Sequence, residues 1–191
     1  MGIQMKRTSL SLTSCLFMGL ASARVPSDMA IISCLAAEST SPLVKLETLP
    51  AEKIYSQDKY KNGFDATYFI ISKGRPIGYA ERGERKAIIY GDEIFPVAQA
   101  RMLPGFNVRP TELNPYIADW SLVTDANGNY LCISFPFGDL GESGSFQKNR
   151  SAYLINLVPG KNRRSLYGAT GNIDLLRKQL LLKSSKQDRL Q

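Results

Sequence analysis

The chain has 191 residues, a formal net charge of +7 and no histidine. The absence of histidine excludes the serine–histidine and cysteine–histidine nucleophile systems, because these need an imidazole to take a proton near neutral pH. It also excludes the usual zinc sites, since the few cysteines cannot complete a four-ligand shell, and the sequence predicts neither a metal nor a cofactor. The length is sufficient for one domain with a hydrophobic core.

The first 23 residues have the three parts of an export signal. Lys6 and Arg7 precede an uncharged stretch, Thr8 to Leu20, and Ala21-Ser22-Ala23 then supplies the small residues that a signal peptidase reads. A membrane-spanning helix needs about 20 apolar residues, and this stretch is shorter. No later segment is long and apolar enough to span a membrane either. We therefore expect cleavage after Ala23 and export to the periplasm or the cell exterior; the alternative is a buried amino-terminal helix.

Two cysteines, Cys34 and Cys132, follow this cleavage site. In an oxidising compartment they most simply pair, and the bridge would close a loop of about 100 residues and stabilise the fold by up to about 4–5 kcal/mol. Two free thiols are the alternative. Ile31-Ile32-Ser33-Cys34 also resembles the lipobox of bacterial lipoproteins, which would make Cys34 a lipid anchor, although Arg24 and Asp28 would interrupt the apolar region before it.

Composition divides the chain into a signal peptide (1–23), a lead-in segment (24–62), a β domain (63–170) and a helix with a basic tail (171–191). The lead-in lacks sustained periodicity and contains one candidate strand at Leu43 to Leu46. Runs of β-branched and aromatic residues predict further strands at Ala66–Ser72, Ile77–Ala80, Ala87–Tyr90, Ile94–Ala98 and Ala152–Val158. The fold class is therefore mainly β, an antiparallel meander with a short C-terminal helix.

Asn127-Gly128 predicts a two-residue type I′ hairpin, because both central positions of that turn need positive φ. This turn pairs residue 126 with 129 and sets the register outward. One face then collects Trp120 and Leu122 with their apolar partners, and the other is mostly polar, as a half-buried antiparallel pair requires. Side-chain oxygens at every second residue from Asp125 onward also resemble the start of a calcium-binding loop. The acidic residue near the end of such a loop is lacking.

The segment after Gly171 predicts a short helix with Asn172 at its N-cap. Ile173, Leu176 and Leu180 would share one face of this helix. Basic residues concentrate from Lys148 onward, whereas the body before it is mildly acidic. A solvated basic tail and a docking surface for an anionic group both explain this asymmetry.

The sequences DANGNYLCISF, AYLINLVPGK and RRSLYG together resemble one blade of a β-propeller, over roughly Asp119 to Gly168. The resemblance implies a propeller-like meander, and a generic meander explains the same pattern. In general layout the chain is also similar to small periplasmic immunity or inhibitor proteins. That similarity implies a non-catalytic binding protein that neutralises a toxin or hydrolase.

We therefore predict an exported binding protein without catalytic activity, whose partner is another protein, with anionic lipid as the alternative and no nucleic acid expected. Its predicted contacts lie in the loop from Gly138 to Asn149 and the turn from Lys161 to Arg164. The candidate binding residues are Asp139, Glu142, Lys148, Arg150, Lys161, Arg163 and Arg164. A small hydrolase that uses carboxylates such as Asp119, Asp139 and Glu142 is one alternative, and a structural or adhesive envelope component is another.

Overall fold

A computed structural model describes residues 25–49, 53–54, 61–72, 74–103, 113–137, 148–157 and 164–179. The predicted signal peptide and its predicted cleavage site lie outside these residues. The two helices are α1 (Asp28–Ala36) and α2 (173–179). The strands are β1 (Lys45–Thr48), β2 (Lys53–Ile54), β3 (Asp65–Ser72), β4 (Arg75–Arg82), β5 (Arg85–Tyr90), β6 (Glu93–Pro96), β7 (Arg101–Met102), β8 (Asp119–Asp125), β9 (Gly128–Pro136), β10 (Asn149–Asn156) and β11 (Leu166–Asn172).

The strands form two sheets, which confirms the predicted mainly β, antiparallel class. Sheet A has the order β1-β8-β9-β10-β11-β7, and only its β11–β7 pair is parallel. Sheet B is a five-stranded meander in the order β2-β3-β4-β5-β6. Pro96 ends the edge strand β6, as expected for a residue that cannot donate a ladder hydrogen bond. In the described part of the chain, no helix is long and apolar enough to cross a membrane.

The two sheets enclose one apolar core between them. Phe135 of sheet A is fully buried, and its ring centroid lies 6.0 Å from that of Tyr79 in sheet B. Trp120 stacks on Tyr68 across the same interface at 5.1 Å. The Tyr79 hydroxyl donates to Glu81 at 2.9 Å. Burial raises the pKa of Tyr79 and Glu81 raises it further, so this hydroxyl stays protonated and keeps donating.

The register of the β8–β9 hairpin differs from the predicted one by two residues. Asp125 pairs with Gly128, and Thr124 pairs with Asn129, so Ala126 and Asn127 form the turn. The reason is the Asp125 side chain, whose Oδ1 accepts from the backbone N–H groups of Asn127 at 2.8 Å and Gly128 at 3.0 Å. This Asx turn replaces the type I′ turn, which would need positive φ at Asn127. An even shift keeps each side chain on its predicted face.

The hairpin face that was predicted to be mostly polar is in fact buried under α1. Val123, Tyr130 and Cys132 on this face pack against the helix and form a second core with it. The sequence pattern does not predict α1, which lies in the lead-in segment. Its residues from Ala30 to Leu35 are mostly apolar and form only a weak amphipathic pattern. The segment therefore lacks the regular spacing of apolar residues from which a helix is predicted.

A disulfide joins α1 to the centre of sheet A. Cys34 of α1 and Cys132 of β9 are bonded at 2.04 Å, and both are fully buried. This confirms the predicted pairing of the two cysteines. Ser27 caps the start of α1, since its hydroxyl accepts from the Ala30 N–H at 3.2 Å, and Ala37 ends the helix in the left-handed conformation.

Asp125 also fastens the segment that leads into α1. Its Oδ2 accepts from the Ser27 N–H at 3.0 Å, so a single carboxylate holds three backbone donors. We expect Asp125→Ala to lower the free energy of unfolding by about 1–2 kcal/mol, comparable to the loss of a helix cap. Chemical denaturation measures this change. Asp125→Asn retains one acceptor oxygen and should lose less; equal stability of all three proteins would contradict the expectation.

Candidate functional site

An open cleft of about 540 Å³ lies at one end of sheet A, beyond the carboxyl end of α1. We call it the terminal cleft. Strands β8, β9 and β10 supply its floor, and α1 and α2 supply two of its walls. Its lining residues are Ala36, Glu38, Ile117, Asp119, Pro136, Lys148, Arg150, Ile173, Asp174 and Arg177.

Arg150 is the fixed centre of the terminal cleft. Its side chain is only 10% exposed, although it carries a full charge. The guanidinium donates from Nε to the Ser134 hydroxyl at 2.9 Å and from Nη2 to the Ser134 carbonyl at 3.3 Å, and it forms an ion pair with Asp119. These bonds compensate for the cost of burying the charge and hold the guanidinium in one position.

The same network secures the carboxyl end of α1. The Ser134 hydroxyl donates to the Leu35 carbonyl at 3.0 Å. The last carbonyls of a helix have no partner within the helix, so this bond satisfies a group that would otherwise be buried without one. Arg150 is thereby coupled through Ser134 to the position of α1.

Helix α2 is placed beside the cleft by its first residues. The Asn172 side chain accepts from the Leu175 N–H at 3.3 Å, which confirms the predicted N-cap, and it also donates to Asn149 of β10 at 2.9 Å. The Ile173 N–H donates to the Lys148 carbonyl at 2.8 Å. A Cβ at Gly171 would lie 2.7 Å from Leu176, so this glycine permits the close approach of α2 to β11.

Two further ion pairs form the rim of the cleft. Lys148 pairs with Asp174 at 3.0 Å, and Arg177 of α2 pairs with Glu38, which follows α1. The four side chains are between 42% and 59% exposed. Exposed pairs of this kind contribute about 0–1 kcal/mol, so a ligand that offers its own charges can replace them at little cost. The cleft therefore combines one fixed cation with charged groups that are free to change partner.

The structure brings together only part of the predicted site. Lys148 and Arg150 both line the terminal cleft, whereas Arg164 lies elsewhere, against Tyr90 and Glu93 of sheet B. The remaining predicted binding residues lie outside the described residues: Asp139, Glu142, Lys161 and Arg163.

Three cleft residues, Glu38, Asp174 and Arg177, were not among the predicted binding residues. Asp174, in the first turn of the predicted helix, and Arg177, further along it, were both visible in the sequence. Glu38 could not be assigned, because its position depends on α1 and on the disulfide that holds α1 in place.

The cleft presents charged side chains of both signs, and each basic side chain is paired with an acidic one. Asp119 is 48% exposed and forms an ion pair with Arg150, and the other two carboxylates of the hydrolase alternative, Asp139 and Glu142, lie outside the described residues. No group of three residues suited to holding a metal ion is found in the described segments. The oxygens of Asp125 that resemble a calcium loop are already occupied by backbone N–H groups.

The fold and the cleft define a two-sheet β protein with a helix disulfide-bonded to its outer face. Comparisons with protein-family models, with curated proteins and with solved structures gave no match. The terminal cleft and the chemistry of its residues are therefore the basis for a functional assignment.

Proposed function

We propose that the protein is an exported binding protein without catalytic activity, and that its terminal cleft docks a charged segment of a partner protein. Arg150 carries the proposal. It is a buried arginine whose direction is fixed by Ser134 and Asp119, at the floor of an open cleft of about 540 Å³. A preorganised arginine surrounded by weakly held charges is typical of the anchor positions of protein interfaces.

The disulfide is compatible with export, which is part of the proposal. Structural disulfides persist in oxidising compartments and are rare in the cytosol. A protein with the Cys34–Cys132 bridge at its centre therefore fits the periplasm or the cell exterior, as the signal-like segment 1–23 predicts. We include cleavage after Ala23 in this proposal. We do not propose a lipid anchor at Cys34, because Cys34 is bonded to Cys132.

The charge pattern favours a protein partner over an anionic lipid surface. The described lining of the cleft has three basic and three acidic side chains, and each base is paired with an acid from another part of the chain. An anionic membrane surface is attracted by a face of one sign. A peptide segment with charges of both signs can instead replace the exposed pairs on each side of Arg150.

Within this class, an inhibitor or immunity-type protein that neutralises a toxin or hydrolase is the specific function that we propose. A rigid, disulfide-bonded sheet that presents a fixed arginine needs little ordering on binding, and this favours tight complexes. The structural or adhesive alternative predicts self-assembly, which light scattering would detect.

The test removes the exchangeable cations and leaves the fold intact. We expect immobilised wild-type protein to retain a protein partner from envelope extract in stoichiometric amount. The double variant Lys148→Gln with Arg177→Gln should bind that partner at least tenfold more weakly. Arg85→Gln with Arg101→Gln is the matched control, because it removes two exposed arginines from strands outside the cleft with a like change in net charge.

Retention of one partner by wild type and control, with loss in the cleft variant, is the expected pattern. Equal retention by all three proteins would show that the partner docks elsewhere. The absence of any stoichiometric partner would contradict the proposed class of protein.

A further inference from the structure

The disulfide lies beside the hydrogen bonds that fix the floor of the terminal cleft. Cys34, in the last turn of α1, is bonded to Cys132 of β9. The next residue of α1, Leu35, accepts at its carbonyl oxygen from the Ser134 hydroxyl at 3.0 Å. Cys132 and Ser134 are two residues apart on β9, so both side chains lie on the face of sheet A that α1 covers. The bridge and this hydrogen bond therefore join the same two elements side by side.

The Ser134 hydroxyl connects the end of α1 with Arg150. Arg150 donates from Nε to the same oxygen at 2.9 Å. A serine hydroxyl has one hydrogen and two lone pairs. While its hydrogen is directed at the Leu35 carbonyl, its lone pairs have a fixed direction for the guanidinium. If that carbonyl moves away, the hydroxyl is free to turn, and Arg150 loses a fixed acceptor.

The bridge is the strongest link between the end of α1 and sheet A. Among the described residues, this end has one further polar contact outside its own segment, the ion pair of Glu38 with Arg177. That pair is about half-exposed, and exposed pairs add little to stability. A helix of nine residues is also not stable by itself in water. The buried side chains of α1 hold it on the sheet, and the covalent bond fixes its last turn.

We propose that oxidation of Cys34 and Cys132 converts the terminal cleft to its binding form, an inference that rests on the docking function proposed above. In the reduced chain the last turn of α1 shifts relative to β9, so that Arg150 and Glu38 lose their fixed positions. The bridge forms by thiol–disulfide exchange with a disulfide oxidant: the oxidant's S–S bond breaks, and it takes two electrons and two protons from the two thiols. The protein therefore binds its partner only in an oxidising compartment.

The redox state is set when the chain folds. Cys34 and Cys132 are both fully buried, so a reductant reaches the bridge only when α1 opens. The reduced form is therefore prepared by refolding the denatured chain in dithiothreitol, and the oxidised form by refolding in oxidised glutathione. The fluorescence of Trp120, which stacks on Tyr68 between the two sheets, shows whether each preparation is folded.

The NMR signal of the Arg150 Nε–H measures the change in the cleft without the partner. The signal is assigned by its absence in Arg150→Met. A buried donor with a fixed acceptor exchanges slowly with water, so we expect at least tenfold slower exchange in the oxidised than in the folded reduced protein. Equal exchange rates would overturn the proposal. Complete unfolding of the reduced chain would also overturn it, because the bridge would then hold the whole fold and not the cleft.

The partner retained from envelope extract tests the regulation. The oxidised protein is expected to bind it at least tenfold more tightly than the folded reduced protein. Equal binding by both forms would overturn the redox control and leave the proposed function standing. If neither form retains a partner, the proposed function fails, and the Arg150 signal still decides whether the bridge fixes the cleft.

Ser134→Ala tests the connection while the bridge stays intact. It removes the hydroxyl shared by Leu35 and Arg150, so exchange of the Arg150 Nε–H should be at least fivefold faster than in the oxidised wild type. Ser121→Ala is the matched control. Ser121 is also buried and lies opposite Cys132 on β8, but its hydroxyl has no hydrogen-bond partner among the described residues, so exchange should not change. Unchanged exchange in Ser134→Ala, or an equal effect of both substitutions, would overturn the connection.

Discussion

Replacement of both bridged cysteines, Cys34→Ala with Cys132→Ala, is expected to lower the free energy of unfolding by about 4–5 kcal/mol. The two residues are 98 apart in sequence, and closing a loop of about 100 residues is worth about 4.7 kcal/mol in the chain-entropy account. Natural domains of this size have about 5–15 kcal/mol of stability in total, so the variant should lie close to the limit of folding.

The position of the bridge adds a local reason for this large effect. Helix α1 has nine residues, which is too short to be stable by itself in water, and no basic residue lies in its last turn. Its buried side chains, from Ala30 to Leu35, cover Val123 and Tyr130 of sheet A. Loss of the bridge therefore loosens the layer that covers this face and, with it, the wall of the terminal cleft that carries Glu38.

Equilibrium unfolding in urea, monitored by fluorescence of Trp120, measures the loss. Reductant should destabilise the wild-type protein by a similar amount and should leave the double variant unaffected, which separates the bridge from the change in side-chain volume. Equal unfolding midpoints for the oxidised wild type and the double variant would contradict the stabilising role of the disulfide.

Replacement of the cleft arginine, Arg150→Met, is expected to cost about 3 kcal/mol of stability. The variant loses an ion pair and two hydrogen bonds of a charged group that is almost completely buried. Hydrogen bonds to charged groups contribute about 1.5–3 kcal/mol each, but the half-exposed Asp119 regains water and so reduces the total. Methionine fills a similar volume, so the change reports on the polar network and not on a cavity.

Arg177→Met is the matched control for this variant. It removes an arginine from an ion pair in the same cleft, but that pair is 42% and 59% exposed, so we expect a change within about 0.5 kcal/mol. Thermal unfolding of the two variants and the wild type should therefore separate them clearly. A loss in Arg177→Met as large as that in Arg150→Met would show that Arg150 is no better fixed than a surface arginine.

Local patterns were sufficient to predict the β elements of the fold. The β-branched and aromatic runs became β3, β4, β5 and β10. Asn172 caps α2 because this effect depends only on neighbouring residues. The cysteine pairing followed from counting, since two cysteines allow only one intramolecular bridge.

Features that depend on distant residues were not predictable. The hairpin turn follows Asp125, whose carboxylate competes for backbone donors that the Asn127-Gly128 pattern assigns to another turn. The face of β9 that carries Cys132 reads as half polar, yet α1 covers it from almost 100 residues away. Arg150 was a candidate because of its charge alone, and its partners Asp119 and Ser134 lie on two other strands.

Hydrogen exchange of the oxidised protein, with and without the partner that it retains from envelope extract, tests most directly whether the terminal cleft is the docking surface. We expect slower exchange in the complex at the end of α1 and Glu38, at the start of β10 and in α2, with no change in β4 and β5. Protection confined to sheet B, with unchanged exchange at Arg150 and in α2, would contradict it.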